Sequence, residues 1–245
     1  ILDIPDLCME SHFEYGLRSG IWRIFDVFDK YNVKATFSCC SLALENSPWL
    51  IDEILIRNHE ISAHGVKWIS HAYLSREEEK QIINDCYSSI LNLSGHPPVG
   101  WHTKSTTSPF TRDLLIEHGG FMYDSNAYND DIPYVLKKND QKLVIIPYSF
   151  DTNDMRYDGN NGFVHGDDFN IYCKESFNQL LSETDDGSLR MMSIGLHPRI
   201  IGRPGRIKGL EDFIKYIKTY ENVWIPKRMD IAKYCLEKDS FNFSD

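Results

Sequence analysis

The sequence predicts an α/β fold, either a barrel or a doubly wound parallel sheet, that occupies residues 1–245 as a single domain. Patterns typical of strands and of helices alternate from residue 33 onward, without a linker, a repeat or a low-complexity segment. Active sites of α/β barrels lie beyond the C-terminal ends of the strands, so polar residues at several predicted strand ends indicate one site at one face of the fold. These residues are His64, Trp101 with His102, Asp124, the cluster 151–154, and His197.

Apolar spacing predicts the helices. Residues 13–31 carry an apolar stripe at helical spacing, and Ser11 could cap its start. Residues 74–94 show the clearest helical pattern, because Ser75 can cap the helix and the acidic run 77–79 suits its positive N-terminal end. The predicted helices are 13–31, 47–57, 74–94, 108–118, 167–182, 210–220 and 230–238.

Short apolar runs predict the strands. Residues 33–39 are rich in β-branched and aromatic side chains. The run 191–196 is too short for a helix and, as a buried strand, would carry His197 at its C-terminal end. The predicted strands are 33–39, 60–63, 99–101, 121–123, 143–147, 191–196 and 223–226.

Composition limits the partners and the setting. A net charge of −10 and a pI near 5.4 argue against nucleic acid or an anionic membrane, so a small-molecule substrate is expected. No apolar run approaches the roughly 20 residues of a membrane-spanning helix. The six cysteines lack the spacing of a zinc or redox motif, which favours free thiols in a cytoplasmic setting. The chain begins at Ile1 without a signal-peptide pattern, and we expect its natural start to lie upstream.

His197 and the loop after it form the first candidate site. A histidine at a strand end can transfer protons near neutral pH. The guanidinium groups of Arg203 and Arg206 suit a polar or anionic ligand. The alternative is a structural histidine that caps a strand beside a solvated basic loop.

His64 forms the second candidate, because it follows a short strand and precedes a glycine. A zinc site would need a second ligand at a close position, typically four residues on, but that position holds Trp68. His71 lies seven positions after His64. This spacing weakens the argument for a metal site formed by His64 and His71, but that site stays an alternative. We favour a substrate-facing His64 beside an aromatic wall, with a structural histidine as the alternative.

Carboxylates at two other strand ends complete the set. Asp151 and Asp154 could accept protons or bind polar groups of a substrate, or could instead form an Asx turn that satisfies their own backbone. Asp124 could form part of the pocket wall in the same way.

Three short stretches are Ala35-Thr36-Phe37, His64-Gly65 and Leu196-His197. Together they resemble the polysaccharide (chitooligosaccharide) deacetylase family. More closely still, the chain resembles the metal-independent allantoinases of that family. The resemblance to the allantoinases covers nearly the whole chain. It is carried by Met9-Glu10-Ser11, Glu14-Tyr15-Gly16, His64-Gly65-Val66-Lys67-Trp68-Ile69, Thr107-Ser108-Pro109, Thr111-Arg112, Gly119-Gly120-Phe121-Met122-Tyr123-Asp124-Ser125, Asn129-Asp130-Asp131-Ile132-Pro133-Tyr134, Ile146-Pro147-Tyr148, Asp151-Thr152-Asn153-Asp154-Met155-Arg156, Gly195-Leu196-His197 and Ile201-Gly202-Arg203-Pro204-Gly205-Arg206.

The resemblance implies a distorted (β/α) barrel and a hydrolase that cleaves amide bonds. In most of the family a metal is held by one aspartate and two histidines, whereas the allantoinases replace the second histidine, consistent with Trp68. The first strand of the family, with its acidic motif, would precede Ile1. The resemblance also implies a homo-oligomer without a cofactor. Zinc or another divalent metal at His64 and His71 is the alternative.

The resulting hypothesis is hydrolysis of a non-peptide amide C–N bond, most specifically the opening of allantoin to allantoate. His197, His64 and Asp154 are the predicted catalytic residues. The predicted substrate-binding residues are Trp68, Trp101, Asp124, Asp151, Arg203 and Arg206. A metal-dependent carbohydrate or peptidoglycan N-deacetylase and a non-catalytic ligand-binding or structural homologue are the two alternatives.

Overall fold

The structure is a computed structural model that describes residues 6–159, 162–185 and 187–238. Its contacts divide the chain into two compact units, one formed by Ile1–Val33 with Tyr148–Trp224 and the other by Lys34–Pro147 with Ile225–Asp245. The prediction of one domain over residues 1–245 extends beyond the described residues and stays a prediction.

Helices and short strands follow one another along the chain. The elements are α1 (Leu7–Tyr15), a π-helical turn (Gly16–Gly20), α2 (Ile21–Tyr31), β1 (Thr36–Cys39), α3 (Ser41–Asn46), α4 (Trp49–Ile56), β2 (Glu60–Ala63), α5 (Arg76–Ser94), β3 (Gly100–Trp101), α6 (Thr111–His118), β4 (Tyr123–Asp124), β5 (Tyr134–Lys138), β6 (Gln141–Ile145), a 3₁₀ turn (Asp154–Tyr157), α7 (Gly166–Ser182), α8 (Pro204–Ile217) and α9 (Arg228–Glu237).

One six-stranded sheet organises the unit formed by Lys34–Pro147 and Ile225–Asp245. Its strand order is β1-β2-β3-β4-β6-β5, and every neighbouring pair is parallel except the antiparallel pair β5 and β6. Helices α4, α5, α6 and α9 pack on these strands, and the side chains of Trp101, Tyr123 and Leu143 are fully buried. The predicted α/β class is therefore confirmed. Within the described part of the chain the sheet does not close on itself.

The β5–β6 hairpin was not predicted from the sequence. For this part of the chain the predicted elements include only the strand 143–147. Asn139 and Asp140 connect the two strands with φ angles of 49° and 61°. Two consecutive left-handed residues form the turn that best matches the twist of a hairpin, and Asn and Asp tolerate that backbone region well. The Asn-Asp pair was thus the available signal for this hairpin.

Helices dominate the unit formed by Ile1–Val33 and Tyr148–Trp224. The helix predicted from residue 13 begins earlier, at Leu7, because the Asp6 carboxylate accepts a hydrogen bond of 2.9 Å from the Met9 N–H and caps the helix. The π-helical turn between α1 and α2 packs closely on other backbone. A Cβ atom at Gly20 would lie 1.9 Å from the Pro198 carbonyl oxygen, so only glycine fits there.

The predicted strand 191–196 is wrong, because only Gly195 forms a bridge, with Asn153. The Gly195 N–H donates to the Thr152 carbonyl at 3.0 Å, and the Asp154 N–H donates to the Gly195 carbonyl at 3.0 Å. Next to this bridge the Thr152 hydroxyl donates to the Ser193 carbonyl. A side-chain contact thus flanks the one bridging pair.

The predicted strand 223–226 is also wrong, since these residues form no strand and Trp224 is 59% exposed.

The predicted cap of α5 is confirmed. Ser75 and Glu78 form a reciprocal capping box, in which the Ser75 N–H donates to the Glu78 carboxylate at 2.8 Å. Among the described residues, no helix combines the length and apolar character needed to cross a membrane.

Candidate active site

Asp154 and His197 are in direct contact in the mainly helical unit formed by Ile1–Val33 and Tyr148–Trp224. The His197 Nδ1–H donates to Asp154 Oδ1 at 2.7 Å, and the His197 backbone N–H donates to Oδ2 at 2.7 Å. The Ile201 N–H also donates to Oδ2, at 3.1 Å. The Asp154 side chain is fully buried, whereas that of His197 is 20% exposed. The carboxylate is thus committed to orienting His197 and the loop that follows it.

The bridge between Asn153 and Gly195 brings this pair together. Asn153 donates from Nδ2 to the Tyr148 hydroxyl at 3.0 Å, and its Oδ1 accepts the Met155 N–H at 2.8 Å, which starts the 3₁₀ turn that carries Asp154. A Cβ at Gly195 would lie 2.2 Å from the Tyr148 hydroxyl oxygen. Glycine at position 195 therefore permits the close approach on which the Asp154–His197 contact depends.

The environment of Asp154 determines what His197 can do. Burial raises the pKa of Asp154, and the hydrogen bonds from His197 oppose that shift. An ionised carboxylate can only accept hydrogen bonds, so the contact places a proton on His197 Nδ1 and leaves the lone pair of the neutral ring on Nε2. An oriented imidazole of this kind can accept a proton at Nε2 and then donate it, while the buried carboxylate stabilises the imidazolium that forms.

The predicted arginines of this unit contact its aromatic side chains. The Arg203 guanidinium lies 3.6 Å from the centre of the Tyr15 ring and within 3.0 Å of His12 Nδ1. Arg206 lies 4.4 Å from the centre of the Tyr157 ring. Both are half-buried, and Asp151 is exposed with its carbonyl accepting a hydrogen bond from Arg156. Substrate binding by Arg203, Arg206 and Asp151 stays a prediction.

In the sheet-containing unit, His64 and His102 lie side by side after β2 and β3. Their rings are parallel to within 6°, with centroids 5.3 Å apart, and both side chains are half-buried. His64 Nδ1 contacts the His102 carbonyl oxygen, and His102 Nδ1 lies 2.8 Å from the Ser125 carbonyl oxygen. His64 therefore belongs to a two-histidine arrangement at the C-terminal ends of neighbouring strands.

The remaining predicted residues of this unit differ in exposure. Trp101 is fully buried and its ring contacts those of His71 and Phe121, so it packs as a core side chain. Trp68 is half-buried, with the Lys104 ammonium 4.3 Å from its ring centre.

Asp124 is fully buried and accepts a hydrogen bond of 3.0 Å from Arg112. Burial raises the pKa of Asp124, and the charge of Arg112 opposes that shift. Contact of Asp124, Trp68 or Trp101 with a substrate stays a prediction.

Comparison with known proteins assigns the chain to a family. A family model described as "Polysaccharide deacetylase" matches residues 5–109. A Schizosaccharomyces pombe protein named "Putative polysaccharide deacetylase" is 34% identical over 246 residues, which cover 94% of this chain and 77% of that protein. The chain belongs to the polysaccharide deacetylase family.

Two solved structures extend this assignment over nearly the whole chain. A "probable Polysaccharide deacetylase" from Pseudomonas aeruginosa PAO1 is 37% identical with a TM-score of 0.94, over 98% of this chain and 80% of that one. The "Puue Allantoinase" is 38% identical with a TM-score of 0.93, over 97% of this chain and 78% of that one. As a member of the polysaccharide deacetylase family, the chain is a hydrolase of the deacetylase type.

The metal centre implied by the polysaccharide deacetylase family does not fit the residues described. His71, the alternative second ligand, is 1% exposed, and its ring packs against that of Trp101. Over residues 6–159, 162–185 and 187–238, no three His, Cys, Asp or Glu side chains group as a metal site would require.

Two features of this member of the polysaccharide deacetylase family were missed by sequence reasoning. His102 was noted as a strand-end residue but was not among the candidate site residues, although the repeated position after β2 and β3 was visible. Glu79 was read as part of an acidic run at a helix start, yet it is fully buried and accepts hydrogen bonds from Ser108 and Thr111. No spacing rule links Glu79 to residues so far along the chain.

Proposed function

We propose that this chain hydrolyses a C–N bond of a cyclic ureide, most specifically that it opens allantoin to allantoate. Its similarity to a solved allantoinase, at 38% identity over 97% of the chain, supports that choice of substrate. The observation that carries the proposal is the partly exposed His197, whose Nδ1 is held by the buried carboxylate of Asp154. This pair provides the proton transfer that hydrolysis of an amide requires.

In the proposed reaction, His197 Nε2 accepts a proton from water as the water oxygen bonds to the ring carbonyl carbon. Asp154 stabilises the imidazolium formed in this step. The C–N bond then breaks, and Nε2 returns the proton to the leaving nitrogen. One water is consumed, and the products are a carboxylic acid and an N–H group on the same opened molecule.

A second candidate is the N-deacetylation of a carbohydrate. It is favoured by the names of the Schizosaccharomyces pombe and Pseudomonas aeruginosa relatives, "Putative polysaccharide deacetylase" and "probable Polysaccharide deacetylase". The pair of His197 and Asp154 could serve an exocyclic acetamide by the same proton transfers. The two candidates therefore differ in the substrate and in the need for a metal, rather than in the proton-transfer group.

Hydrolysis assays with the natural protein distinguish the two candidates. Allantoin and an N-acetylated chitooligosaccharide are compared as substrates, each with and without a strong chelator. We expect allantoate to form at a rate that the chelator leaves unchanged, and no acetate to be released. Chelator-sensitive release of acetate would favour the deacetylase, and the absence of both reactions would contradict the proposal.

A further inference from the structure

His64, His102 and Ser125 occupy equivalent positions, each directly after one of the neighbouring parallel strands β2, β3 and β4. The His102 N–H donates to the Ala63 carbonyl at 3.1 Å, and the Ser125 N–H donates to the Trp101 carbonyl at 2.9 Å. The backbone ladder thus holds these three residues in register at one edge of the sheet.

Beyond the ends of the strands, the imidazole rings of His64 and His102 contact the backbone carbonyl groups of the neighbouring segment. The Nδ1 atom of His64 contacts the carbonyl oxygen of His102, and the Nδ1 atom of His102 lies 2.8 Å from the carbonyl oxygen of Ser125. A carbonyl oxygen has no proton to donate, so each Nδ1 must carry the hydrogen. In both neutral rings the lone pair is therefore on Nε2.

Neighbouring contacts restrict both rings further. The two rings stack in parallel, with centroids 5.3 Å apart, so the His102 ring packs against the His64 ring. Asn126 Oδ1 accepts hydrogen bonds from the Thr103 N–H at 2.9 Å and from the Thr103 hydroxyl at 2.8 Å, and Asn126 in turn donates to Asp124. The segment that carries His102 is consequently fixed by side-chain contacts as well as by the sheet.

We propose that His102 is a positioning residue that holds His64 as a hydrogen-bond acceptor. It acts through its carbonyl group, which fixes the tautomer of His64 only while His64 Nδ1 stays in contact with it, and through its ring, which holds the His64 ring in that contact. An acceptor at Nε2 suits the N–H groups that border a cyclic ureide, whereas the opposite tautomer would present a donor suited to a carbonyl oxygen. This inference rests on the proposed function only in its assumption that His64 contacts the substrate.

The tautomer can be measured without any substrate. The protein is labelled with ¹⁵N-histidine and studied at a pH where the rings are neutral. Long-range ¹H–¹⁵N correlation spectra then distinguish protonated from unprotonated ring nitrogens. The variants His64→Gln and His102→Gln assign the signals to each residue. We expect Nδ1 to be protonated and Nε2 unprotonated in both residues. A protonated Nε2 on neutral His64 would overturn the proposal.

Two variants test the positioning role. His102→Ala keeps the backbone carbonyl but removes the stacked ring, whereas His102→Phe retains an aromatic face. We expect His102→Ala to introduce the second tautomer of His64 and to raise KM for allantoin about tenfold with little change in kcat, the loss of about one hydrogen bond in the ground state. His102→Phe should lie closer to the wild type, and His96→Ala, at an exposed turn, is the control.

The outcomes separate this inference from the proposed function. If His102→Ala, shown to be folded by its thermal unfolding curve, changes neither the His64 tautomer nor KM, the positioning role is wrong. If the natural protein does not hydrolyse allantoin, the proposed function fails, while the spectra of the wild type and His102→Ala still decide whether His102 fixes the His64 ring.

Discussion

Replacing Asp154 with Asn tests the pair on which the proposed chemistry depends. The carboxylate accepts hydrogen bonds from the His197 ring, the His197 backbone and the Ile201 backbone. An amide of the same shape has only one acceptor oxygen, and its NH₂ group would face at least one of these N–H donors. Asp154→Asn therefore keeps the packing but removes the charge and at least one hydrogen bond.

The magnitude follows from those contacts. Hydrogen bonds to charged groups contribute about 1.5–3 kcal/mol each, and about 1.4 kcal/mol corresponds to a tenfold change in rate. Asp154→Asn removes both the hydrogen bond that fixes the His197 tautomer and the negative charge that stabilises the imidazolium. Together these losses predict a fall in kcat of about 10²–10⁴-fold. KM should change little, because Asp154 is fully buried and acts through His197.

The assay is steady-state hydrolysis of allantoin by the natural protein and its variants. Asp158→Asn, which neutralises an exposed carboxylate four residues along, is the matched control and should retain the wild-type kcat. Burial raises the pKa of Asp154 above its usual 3.8, so the wild-type rate should fall on the acid side at a higher pH than for an ordinary carboxyl group. A kcat for folded Asp154→Asn equal to that of the control would refute the role of the pair.

Three further predictions concern stability. Because the pKa of Asp154 is raised in the fold, its carboxyl group contributes stability at low pH, and this contribution is lost as the pH rises through the folded pKa. The unfolding free energy of Asp154→Asn, measured relative to wild type in urea titrations, should therefore increase from acid to neutral pH. Gly195→Ala should lower both Tm and kcat, because its Cβ would overlap the Tyr148 hydroxyl, whereas Gly205→Ala, with no atom near the added Cβ in α8, should raise Tm slightly. Burial alone would raise the pKa of Glu79, but hydrogen bonds from His71, Ser108 and Thr111 outweigh it and lower that pKa. Glu79→Gln should therefore cost about 1–3 kcal/mol at neutral pH, and urea titrations that show no decrease of this cost as the pH falls would contradict the assignment.

Local patterns predicted those parts of the fold whose causes lie within one segment. The cap and the apolar stripe of α5 lie in neighbouring turns, so Ser75 could be identified from sequence alone. The short apolar runs before His64 and Asp124 correctly indicated residues at the ends of parallel strands.

The elements that sequence reasoning missed depend on distant partners. Residues 191–196 have the composition of a strand, but only Gly195 forms a bridge, and its partner Asn153 lies far away in the sequence, which no periodicity reveals. The early start of α1 depended on one capping carboxylate, Asp6, and the turn at Gly20 depends on backbone near residue 198. The pairing of His64 with His102 likewise requires the register of β2 against β3.

Sequence reasoning was also incomplete about individual roles at the candidate site. It selected His197 and Asp154 separately and predicted Asp154 as a catalytic residue that accepts protons or binds polar groups of a substrate, whereas the structure shows its carboxylate engaged with His197 and Ile201. The resemblance to the polysaccharide deacetylase family covers the chain, but the hydrogen-bond partners of each side chain emerge only from the folded structure.

The rate of allantoin hydrolysis by His197→Ala, compared with wild type and with the exposed control His96→Ala, tests the central claim most directly. Removal of a general acid–base group predicts a fall in kcat of about 10²–10⁴-fold for His197→Ala, with His96→Ala unchanged. A folded His197→Ala protein that turns over allantoin at the rate of His96→Ala would contradict the assignment of His197 as the proton-transfer group.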